Sequence, residues 1–435
     1  MLDRLFKLRD RQTTVRTEFF AGLTTFIALA YIVFVNPHML ADAGMSREAA
    51  IAATIWITAI STFFMGVLVN YPVALAPGLG LTAFFSYYVC GSLGLHWTVA
   101  LGAVFFSGLV FLLLTCGGIL QAIIRAVPDT LKSAITVGIG LFIAFIGLKS
   151  AGVLQADAST FVALGDITQP APIFAMFTLA LTVILMVRGV QGAILISIAV
   201  TTLLSMAFGC SPAPHGIEDI ISFNIPSVSA SLGQLDIAGA WDYGIVSIIF
   251  TFTMVELFDN IGTLISLTRR AKMVKEDGEI PDLDKALTMN AFATIGSALV
   301  GTSTVTTYLE SATGIEAGGR TGLTAVTVSF GFLSLLLFAP LIALVPGYAT
   351  ASALILIGAL MISAVKEIDF NDLTDGVPAF LTIIMMPLTY SIASGFAFGF
   401  ISYVLLKVCT GRHKEVSWVM GVISLAFLIN LVMRA

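Results

Sequence analysis

Residues 302–314 read TSTVTTYLESATG, a β-branched run that leads directly into a carboxylate, Glu310. The chain around this stretch is strongly apolar, because 58% of its 435 residues are hydrophobic and 11% are charged. A soluble domain carries about 25% charged residues. Apolar runs near the roughly 20 residues that cross a bilayer recur from Phe19 to Asn430. We therefore predict an all-α polytopic membrane protein in contact with the lipid bilayer, in which residues 302–314 interrupt the helical pattern.

Apolar runs divide the chain into fourteen predicted transmembrane segments and a terminal run. The segments lie at 19–37, 49–70, 78–90, 98–123, 133–148, 172–187, 191–208, 243–266, 287–300, 304–316, 321–344, 348–364, 378–392 and 395–408. The terminal run at 416–433 is either a fifteenth span or an interfacial helix. With a cytoplasmic N-terminus and fourteen crossings, only Arg47, Lys149 and Arg434 among the basic residues fall outside, as the positive-inside rule predicts.

Segments three and ten are short and are interrupted by Gly and Pro. PVALAPGLGLTAFFSYYV (72–89) and VGTSTVTTYLESATGIEAGG (300–319) each take third place in a set of seven. Seven is odd, so the second set crosses in the opposite sense and forms an inverted repeat, which is typical of transporters. Extended backbone at membrane depth is tolerated where it pairs with protein or lines a polar cavity. We predict two short strands, one from each repeat, that pair near the midplane; a kinked helix is the alternative for 302–308.

Three carboxylates lie inside predicted spans. Glu256 and Asp259 are three residues apart in FTMVELFDNIGTL (252–264), and Glu310 follows the predicted strand of segment ten. Ionisable groups within a membrane are costly and mark functional sites. No Lys or Arg lies mid-span, so these acids bind a cation, a neutral solute rich in N–H donors, or a proton. The alternative is that Glu256 or Asp259 only satisfies a helix terminus; Asn36 either lines the site or caps a helix.

Other functional classes are disfavoured. The sequence contains no HExxH and no GxSxG motif, which argues against an intramembrane enzyme. The four cysteines are scattered singly, so neither a zinc site nor a disulfide framework is expected. The basic leader is explained by membrane orientation, so no nucleic acid is expected as a partner. A channel on the same scaffold is the remaining rival.

Four stretches resemble one transporter family. APGLGLTAFF (76–85), VELFDNIGTL (255–264), GTSTVTTYLESATGIEAGGRTGLTAV (301–326) and TEFFAGLTTFIALAYIVFVNP (17–37) are similar to the AzgA-like purine permeases, a branch of the nucleobase–ascorbate transporter superfamily. The likeness covers nearly the whole chain. It implies proton-coupled uptake (symport) of a purine nucleobase across the cytoplasmic membrane, with H⁺ as the coupling ion and no cofactor or metal. A homodimer is compatible with it.

The resemblance also implies a division into a core domain and a gate domain, each built from both repeats. The expected parts are a cytoplasmic leader (1–18), core segments 1–4 (19–123), gate segments 5–7 (124–208), an external loop (209–242), core segments 8–11 (243–344), gate segments 12–14 (345–408) and a basic loop with the terminal run (409–435).

In that family the substrate lies between the two short strands. The residues that match its substrate-binding positions are Glu256, Glu310, Thr82, Ala83, Phe84, Thr306, Thr307 and Tyr308. Proton coupling is expected at Glu256, Asp259 and Glu310, while Asn36 and Asn260 are candidates to line the site.

Position 82 departs from many guanine and hypoxanthine carriers of the family, which read APGMGLNAFF with Asn where this chain has Thr82. An amide can donate to the O6 carbonyl of hypoxanthine or guanine, whereas a hydroxyl can accept from the 6-amino group of adenine. We therefore expect adenine to be favoured, with hypoxanthine and guanine as the alternative.

Overall fold

A computed structural model of the chain describes residues 2–118, 123, 126–242, 246–275 and 280–434. Within these residues, nine helices are long and apolar enough to cross a membrane. The structure is largely helical, with two small antiparallel sheets, so the prediction of an all-α polytopic membrane protein is confirmed. The count of fourteen segments stays a prediction. The predicted boundary after residue 123 and the predicted start of segment eight at 243 fall at stretches outside the described residues.

The first half of the chain contains nine of the described helices and three strands. Their bounds are α1 Leu2–Phe6, α2 Val15–Leu29, α3 Ile32–Asp42, α4 Arg47–Phe64, β1 Leu75–Pro77, α5 Leu79–Ala83, α6 Trp97–Cys116, α7 Asp129–Ser150, β2 Leu154–Asp157, β3 Phe161–Leu164, α8 Pro170–Val187 and α9 Ala193–Ala207. Helix α4 continues as a π-helix over Met65–Val69, and α5 does so over Phe84–Ser92. Wider π-turns are frequent at functional sites, and both flank β1.

The second half contains ten described helices and one strand. Their bounds are α10 Ile237–Asp242, α11 Val246–Arg270, α12 Leu283–Val300, β4 Val305–Thr307, α13 Ser311–Glu316, α14 Gly322–Ser334, α15 Ala339–Leu344, α16 Gly347–Met361, α17 Leu373–Leu388, α18 Ile392–Cys409 and α19 Trp418–Arg434. Short 3₁₀ turns occupy Ile217–Asp219, Leu335–Phe338, Ile362–Glu367 and His413–Glu415. The terminal run is helix α19. Its Phe427 stacks on Phe396 of α18, with ring centroids 6.0 Å apart, so α19 packs against the bundle.

Strands β1 and β4 occupy the two predicted breaks. They pair antiparallel, with Leu75 opposite Thr307, Ala76 opposite Thr306 and Pro77 opposite Val305. The prediction of two strands, one from each repeat, is confirmed, and the kinked-helix alternative for 302–308 is wrong. The strands also approach closely beyond the ladder, because a Cβ on Gly78 would lie 2.9 Å from the Thr306 side chain.

Side chains bond the outer edges of this ribbon. The Thr62 hydroxyl of α4 donates to the Leu75 carbonyl and accepts from the Leu75 N–H, both at 2.9 Å. On the other edge, Thr294 of α12 accepts from the Val305 N–H at 3.2 Å, and Asn260 of α11 accepts from the Thr307 N–H at 2.7 Å. Backbone groups that lipid does not tolerate are thereby bonded to neighbouring helices.

Glu18 holds the segment that leads into α14. Its carboxylate is completely buried and accepts from the backbone N–H groups of Arg320, Thr321 and Thr324 at 2.9–3.3 Å. A carboxylate at this position satisfies amides that have no partner within the helix and complements the positive end of the helix dipole. Glu18 is therefore a structural acid that joins α2 to α14.

A second charged cluster joins the start of α17 to the end of α18. Lys407 is completely buried, and its Nζ lies 3.1 Å from Asp375 and 2.8 Å from Glu415. Arg412 bonds Asp372 at 2.5 Å and Glu415 at 2.6 Å. Several charges in one network stabilise more than isolated surface pairs do.

Candidate functional site

Glu256 is the most deeply buried acid of the predicted site. It lies on α11 with no exposed surface, and its Oε1 accepts from the Thr294 hydroxyl at 2.5 Å. The Ser107 hydroxyl of α6 also faces this carboxylate. Among the residues that the structure describes, its Oε2 has no hydrogen-bond partner. A buried acceptor without a partner is costly, so this oxygen is available to a ligand that carries an N–H or O–H donor.

Asp259 lies one turn further along α11 and is partly buried. The Thr306 hydroxyl of β4 faces its carboxylate, and Glu256 and Glu310 are its charged neighbours. Among the described residues, none of these three acids has an electrostatic interaction or a hydrogen bond with a Lys or Arg. The structure therefore brings the three predicted carboxylates together without a compensating cation.

Glu310 lies between β4 and α13, where the extended strand turns into helix. The Tyr31 hydroxyl donates to its Oε1 at 2.5 Å. Tyr31 is completely buried between α2 and α3, so the first repeat supplies a donor to the acid of the second. A hydrogen bond to a charged acceptor is about twice as strong as a neutral one, and this bond fixes the position of the carboxylate.

Three consecutive residues of segment ten differ in their surroundings. Thr306 faces Asp259, as described above. The N–H and the hydroxyl of Thr307 both donate to the Asn260 side-chain oxygen. The Tyr308 hydroxyl donates to the Pro77 carbonyl. Thr307 and Tyr308 therefore hold the ribbon together. The amide nitrogen of Asn260 is buried with no partner among the described residues and can donate to a ligand.

Thr82 and Asn36 belong to a fully buried polar network. The Thr82 hydroxyl donates to Asn36 Oδ1 at 2.7 Å, and Asn36 Nδ2 donates to Thr54 at 2.8 Å and to Thr302 at 3.2 Å. Asn36 thus joins segments one, two, three and ten. In the described part of the chain, its side chain is occupied by this network.

Ala83 and Phe84 form an apolar wall next to these polar groups. Phe84 is completely buried and stacks on Tyr88, with centroids 5.1 Å apart and planes 16° apart. Phe252 of α11 meets Phe84 edge to face at 5.0 Å. Phe252 lies one turn before Glu256, so the wall and the buried acid share helix α11.

Sequence reasoning missed the hydroxyl partners of the acids. Tyr31 lies in IALAYIVFV and Thr294 lies in AFATIGSALV, where each is a polar residue inside an apolar run. That signal was present in the sequence, but many hydroxyl side chains in membrane helices bond only their own backbone. Thr62, which holds the edge of β1, was missed for the same reason.

The arrangement suits a small planar solute. A free acceptor on Glu256 and a free donor on Asn260 lie on the same helix, beside an aromatic wall and two broken segments at matching places in an inverted repeat. Paired half-segments of this kind form the binding site of secondary transporters. The fold and the site define the chain as a membrane transporter.

The comparisons with known proteins agree with that class. The sequence profile of the permease family, Xan_ur_permease, matches residues 16–432, so the chain belongs to this permease family. Its place in the nucleobase–ascorbate transporter superfamily is thereby confirmed, and it is a transporter rather than an enzyme. The chain is similar to the adenine permease AdeP of Escherichia coli (43% identity, 99% of this chain and 96% of that protein). It is also similar to the guanine/hypoxanthine permease PbuO of Bacillus subtilis (38% identity, 98% and 99%).

A solved structure shares the fold. The transmembrane domain of a cyanobacterium bicarbonate transporter, BicA, aligns with a TM-score of 0.64 over 87% of this chain and 97% of that one. Sequence identity is 16%, so this likeness concerns the architecture and carries no information about the substrate.

Proposed function

We propose that this permease imports a purine nucleobase by proton symport across the cytoplasmic membrane, with its N-terminus in the cytoplasm. The observation that carries the proposal is Glu256, which is completely buried. One of its oxygens is bonded to Thr294, and the other has no partner in the part of the chain that the structure describes. A ring N–H of a purine is a suitable donor to that free oxygen. The free amide of Asn260 offers a donor to a ring nitrogen, and the names of both relatives support a nucleobase as substrate.

Proton coupling is proposed because the acids lack a counter-charge. Among the described residues, Glu256, Asp259 and Glu310 have no Lys or Arg neighbour. An uncompensated charge within the membrane costs several kcal/mol, and a bound proton removes that cost. In the proposed cycle the acids accept a proton and the base on the outer side and release both on the inner side.

The moving parts are proposed to be the predicted core and gate domains. Helix α14 packs on α2 and α4 within the predicted core, while α16 packs on α7 and α17 packs on α18 within the predicted gate. Alternating access in such folds proceeds by rocking one bundle against the other around a fixed site. The strand ribbon and its acids would move with the core.

Adenine is proposed as the favoured base. Thr82 donates its one hydroxyl proton to Asn36, so only acceptor lone pairs remain for a ligand. That suits the 6-amino group of adenine and disfavours the 6-oxo group of hypoxanthine and guanine. The similarity to PbuO supports the alternative, the same symport for hypoxanthine and guanine.

Uptake into proteoliposomes tests the proposal. Radiolabelled adenine is supplied outside under an imposed inward proton gradient, with unlabelled hypoxanthine and guanine as competitors. We expect saturable accumulation against the adenine gradient, collapse with a protonophore, and weak competition by the 6-oxo purines. Non-saturating flux would indicate a channel, and gradient-independent uptake would overturn proton coupling. Strong uptake of labelled hypoxanthine with weak adenine uptake would overturn the adenine preference.

A further inference from the structure

A cavity of about 610 Å³ lies apart from the carboxylate site. It is bounded by the end of α7, by the β2–β3 hairpin and by the end of α17, and its lining includes Phe145, Lys149, Phe161 and Tyr390. Pockets of roughly 300–1,000 Å³ hold small organic molecules. A volume of this size accommodates a bicyclic base with several waters.

The cavity is at the end of the bundle remote from the N-terminal leader. Residues Val15–Asp42 form one 28-residue span, and the Tyr87 hydroxyl donates to Asp42 at its far end at 2.8 Å. The Tyr87 ring meets Tyr390 edge to face at 6.4 Å. Tyr390 also contacts Phe142 and Phe145 of α7 at 5.7 Å and 5.6 Å. One ring therefore joins the helix that follows β1 to α7, and it also lines the cavity.

Two aromatic residues of the lining have an unfavourable backbone. Phe161 has φ 66° and Tyr390 has φ 55°. Bulky side chains rarely adopt this left-handed region. At Tyr390 it forms the C-terminal cap of α17, where the Ser391 N–H donates to the Met386 carbonyl. Phe161 begins β3 at the hairpin turn and is 85% exposed. Both rings line the same cavity, Phe161 from the hairpin turn and Tyr390 from just beyond the C-terminus of α17.

The polar groups of the cavity indicate the chemistry of a ligand that would fit it. The Lys149 ammonium lies 5.1 Å from the centroid of the Tyr390 ring, and no carboxylate is among the lining residues that the structure describes. The Tyr390 hydroxyl is buried and has no hydrogen-bond partner among the residues that the structure describes. A ligand with an acceptor edge would satisfy both Lys149 and Tyr390, and a flat π-face would stack on the exposed Phe161 ring.

We propose that this cavity is an outer binding site for a planar heteroaromatic base, which occupies it before passing Tyr390 to reach the carboxylates. The assignments of the base as a purine and of this end as the outer one rest on the proposed function. The base stacks on Phe161 and directs its acceptor edge to Lys149 and the Tyr390 hydroxyl. Because Tyr390 contacts both Tyr87 and α7, a base in the outer site lies against the residue that joins these two elements.

Photolabelling of the full-length protein tests the site directly. Reconstituted protein carrying Glu256→Gln, which removes the ligand contact at the central site, is labelled with 8-azidoadenine, and the labelled peptides are mapped by mass spectrometry. We expect labelling on residues 154–164 that unlabelled adenine competes. Phe161→Ala or Lys149→Gln should reduce it about ten-fold, the order of one lost stacking or charged contact. Leu164→Ala is the matched control, since Leu164 is exposed on the same hairpin outside the cavity lining, and should leave labelling unchanged.

Uptake kinetics provide the second measurement. In an otherwise wild-type chain, Phe161→Ala should raise KM about ten-fold with little change in kcat, because the central site is intact. The outer site is overturned if hairpin labelling is absent or is not competed, or if Phe161→Ala and Lys149→Gln behave like Leu164→Ala. The two proposals fail separately: absence of purine uptake by the wild type overturns transport, while absence of competed hairpin labelling overturns the outer site whether or not uptake occurs.

Discussion

The two broken segments share a scaffold and differ in chemistry. Each contributes one strand whose outer edge is bonded by a threonine from the second segment of its repeat, Thr62 for β1 and Thr294 for β4. Each repeat also places a buried asparagine on its first segment, Asn36 and Asn260. Four residues before these asparagines, however, the first repeat has Ile32 and the second has Glu256.

Both repeats therefore contribute the same backbone frame, a strand bonded by a threonine. The second repeat alone places a carboxylate four residues before its asparagine. In the first repeat, the Thr82 hydroxyl and the Asn36 amide bond one another. In the second, Glu256 Oε2 and Asn260 Nδ2 have no hydrogen-bond partner among the described residues. Variants at matching positions can therefore separate the scaffold from the site.

Glu256→Gln should break the chemistry and leave the scaffold intact. It replaces one carboxylate oxygen with an NH2 group, which donates a hydrogen bond and does not accept one. It also removes the titratable proton site. We expect the initial rate of adenine uptake in proteoliposomes to fall about 100-fold or more, which corresponds to roughly 2.7 kcal/mol. Glu316→Gln is the control, because Glu316 is exposed and pairs with Arg270. Uptake close to the wild-type rate would contradict the role of Glu256.

Substitutions at Glu310 and Tyr31 test the hydrogen bond between the two repeats. Glu310→Ala should impair uptake about as severely as Glu256→Gln, because it removes the second acid of the site. Tyr31→Phe removes only the donor to that acid, and a hydrogen bond to a charged group contributes about 1.5–3 kcal/mol. We therefore expect Tyr31→Phe to weaken adenine affinity by about ten-fold, measured by equilibrium binding. Unchanged affinity in Glu310→Ala would place the base elsewhere.

Thr62→Val and Thr294→Val compare the equivalent threonines of the two repeats. Each leaves strand backbone groups without a partner, at a cost of about 1–3 kcal/mol, so both should lower the thermal unfolding temperature. Thr294 also donates to Glu256, so Thr294→Val alone should reduce uptake per folded molecule. Equal uptake by the two folded variants would mean that the Thr294 hydroxyl serves only the scaffold.

Thr82→Asn tests whether the first repeat influences selectivity. The longer amide adds a donor next to the Asn36 network, so hypoxanthine and guanine should compete more strongly with labelled adenine. We expect the inhibition constants for these 6-oxo bases to fall several-fold, within the range of one exchanged hydrogen bond. A change in maximal rate with unchanged competition would refute the selectivity argument.

Asp372 is a carboxylate outside the site and shows how an acid with a counter-charge behaves. Hydrogen bonds from Arg412 and Thr374 hold the pKa of Asp372 well below its usual range. A lowered folded pKa stabilises the protein above the unfolded pKa of about 4, and this contribution is lost as the pH falls through the folded value. Asp372→Asn should therefore lower the unfolding temperature slightly near pH 7, with a difference that shrinks below about pH 4. Asp369→Asn is the control, since Asp369 bonds Asn371; an equal effect in both variants would refute the ion-pair explanation.

Local pattern was sufficient to predict the breaks in the helices. Gly and Pro around Leu75–Pro77 and the β-branched run at Val305–Thr307 conflict with a spanning helix, so the sequence itself indicated extended backbone. The acids were found because a charge within an apolar run is rare. These signals depend on neighbouring residues alone, and the structure agrees with them.

Other contacts depend on packing between distant segments. Glu18 lies at the edge of an apolar run, where a charged residue is ordinary, and its role follows only from its contact with α14. The Tyr31–Glu310 bond joins residues 279 positions apart. The β2–β3 hairpin was not predicted either, because its eight strand residues lie in a short connection between two predicted spans and show no clear alternating pattern.

The ribbon also has a consequence for membrane insertion. The Pro77 carbonyl accepts from Tyr308, 231 residues later in the chain, and the inner edge of β1 pairs with β4. During synthesis, the first repeat therefore enters the membrane with these backbone groups unbonded, at a cost of several kcal/mol for each group left in lipid. The third segment must stay in a hydrated or assisted environment until the tenth arrives, so the first repeat alone is an incomplete insertion unit.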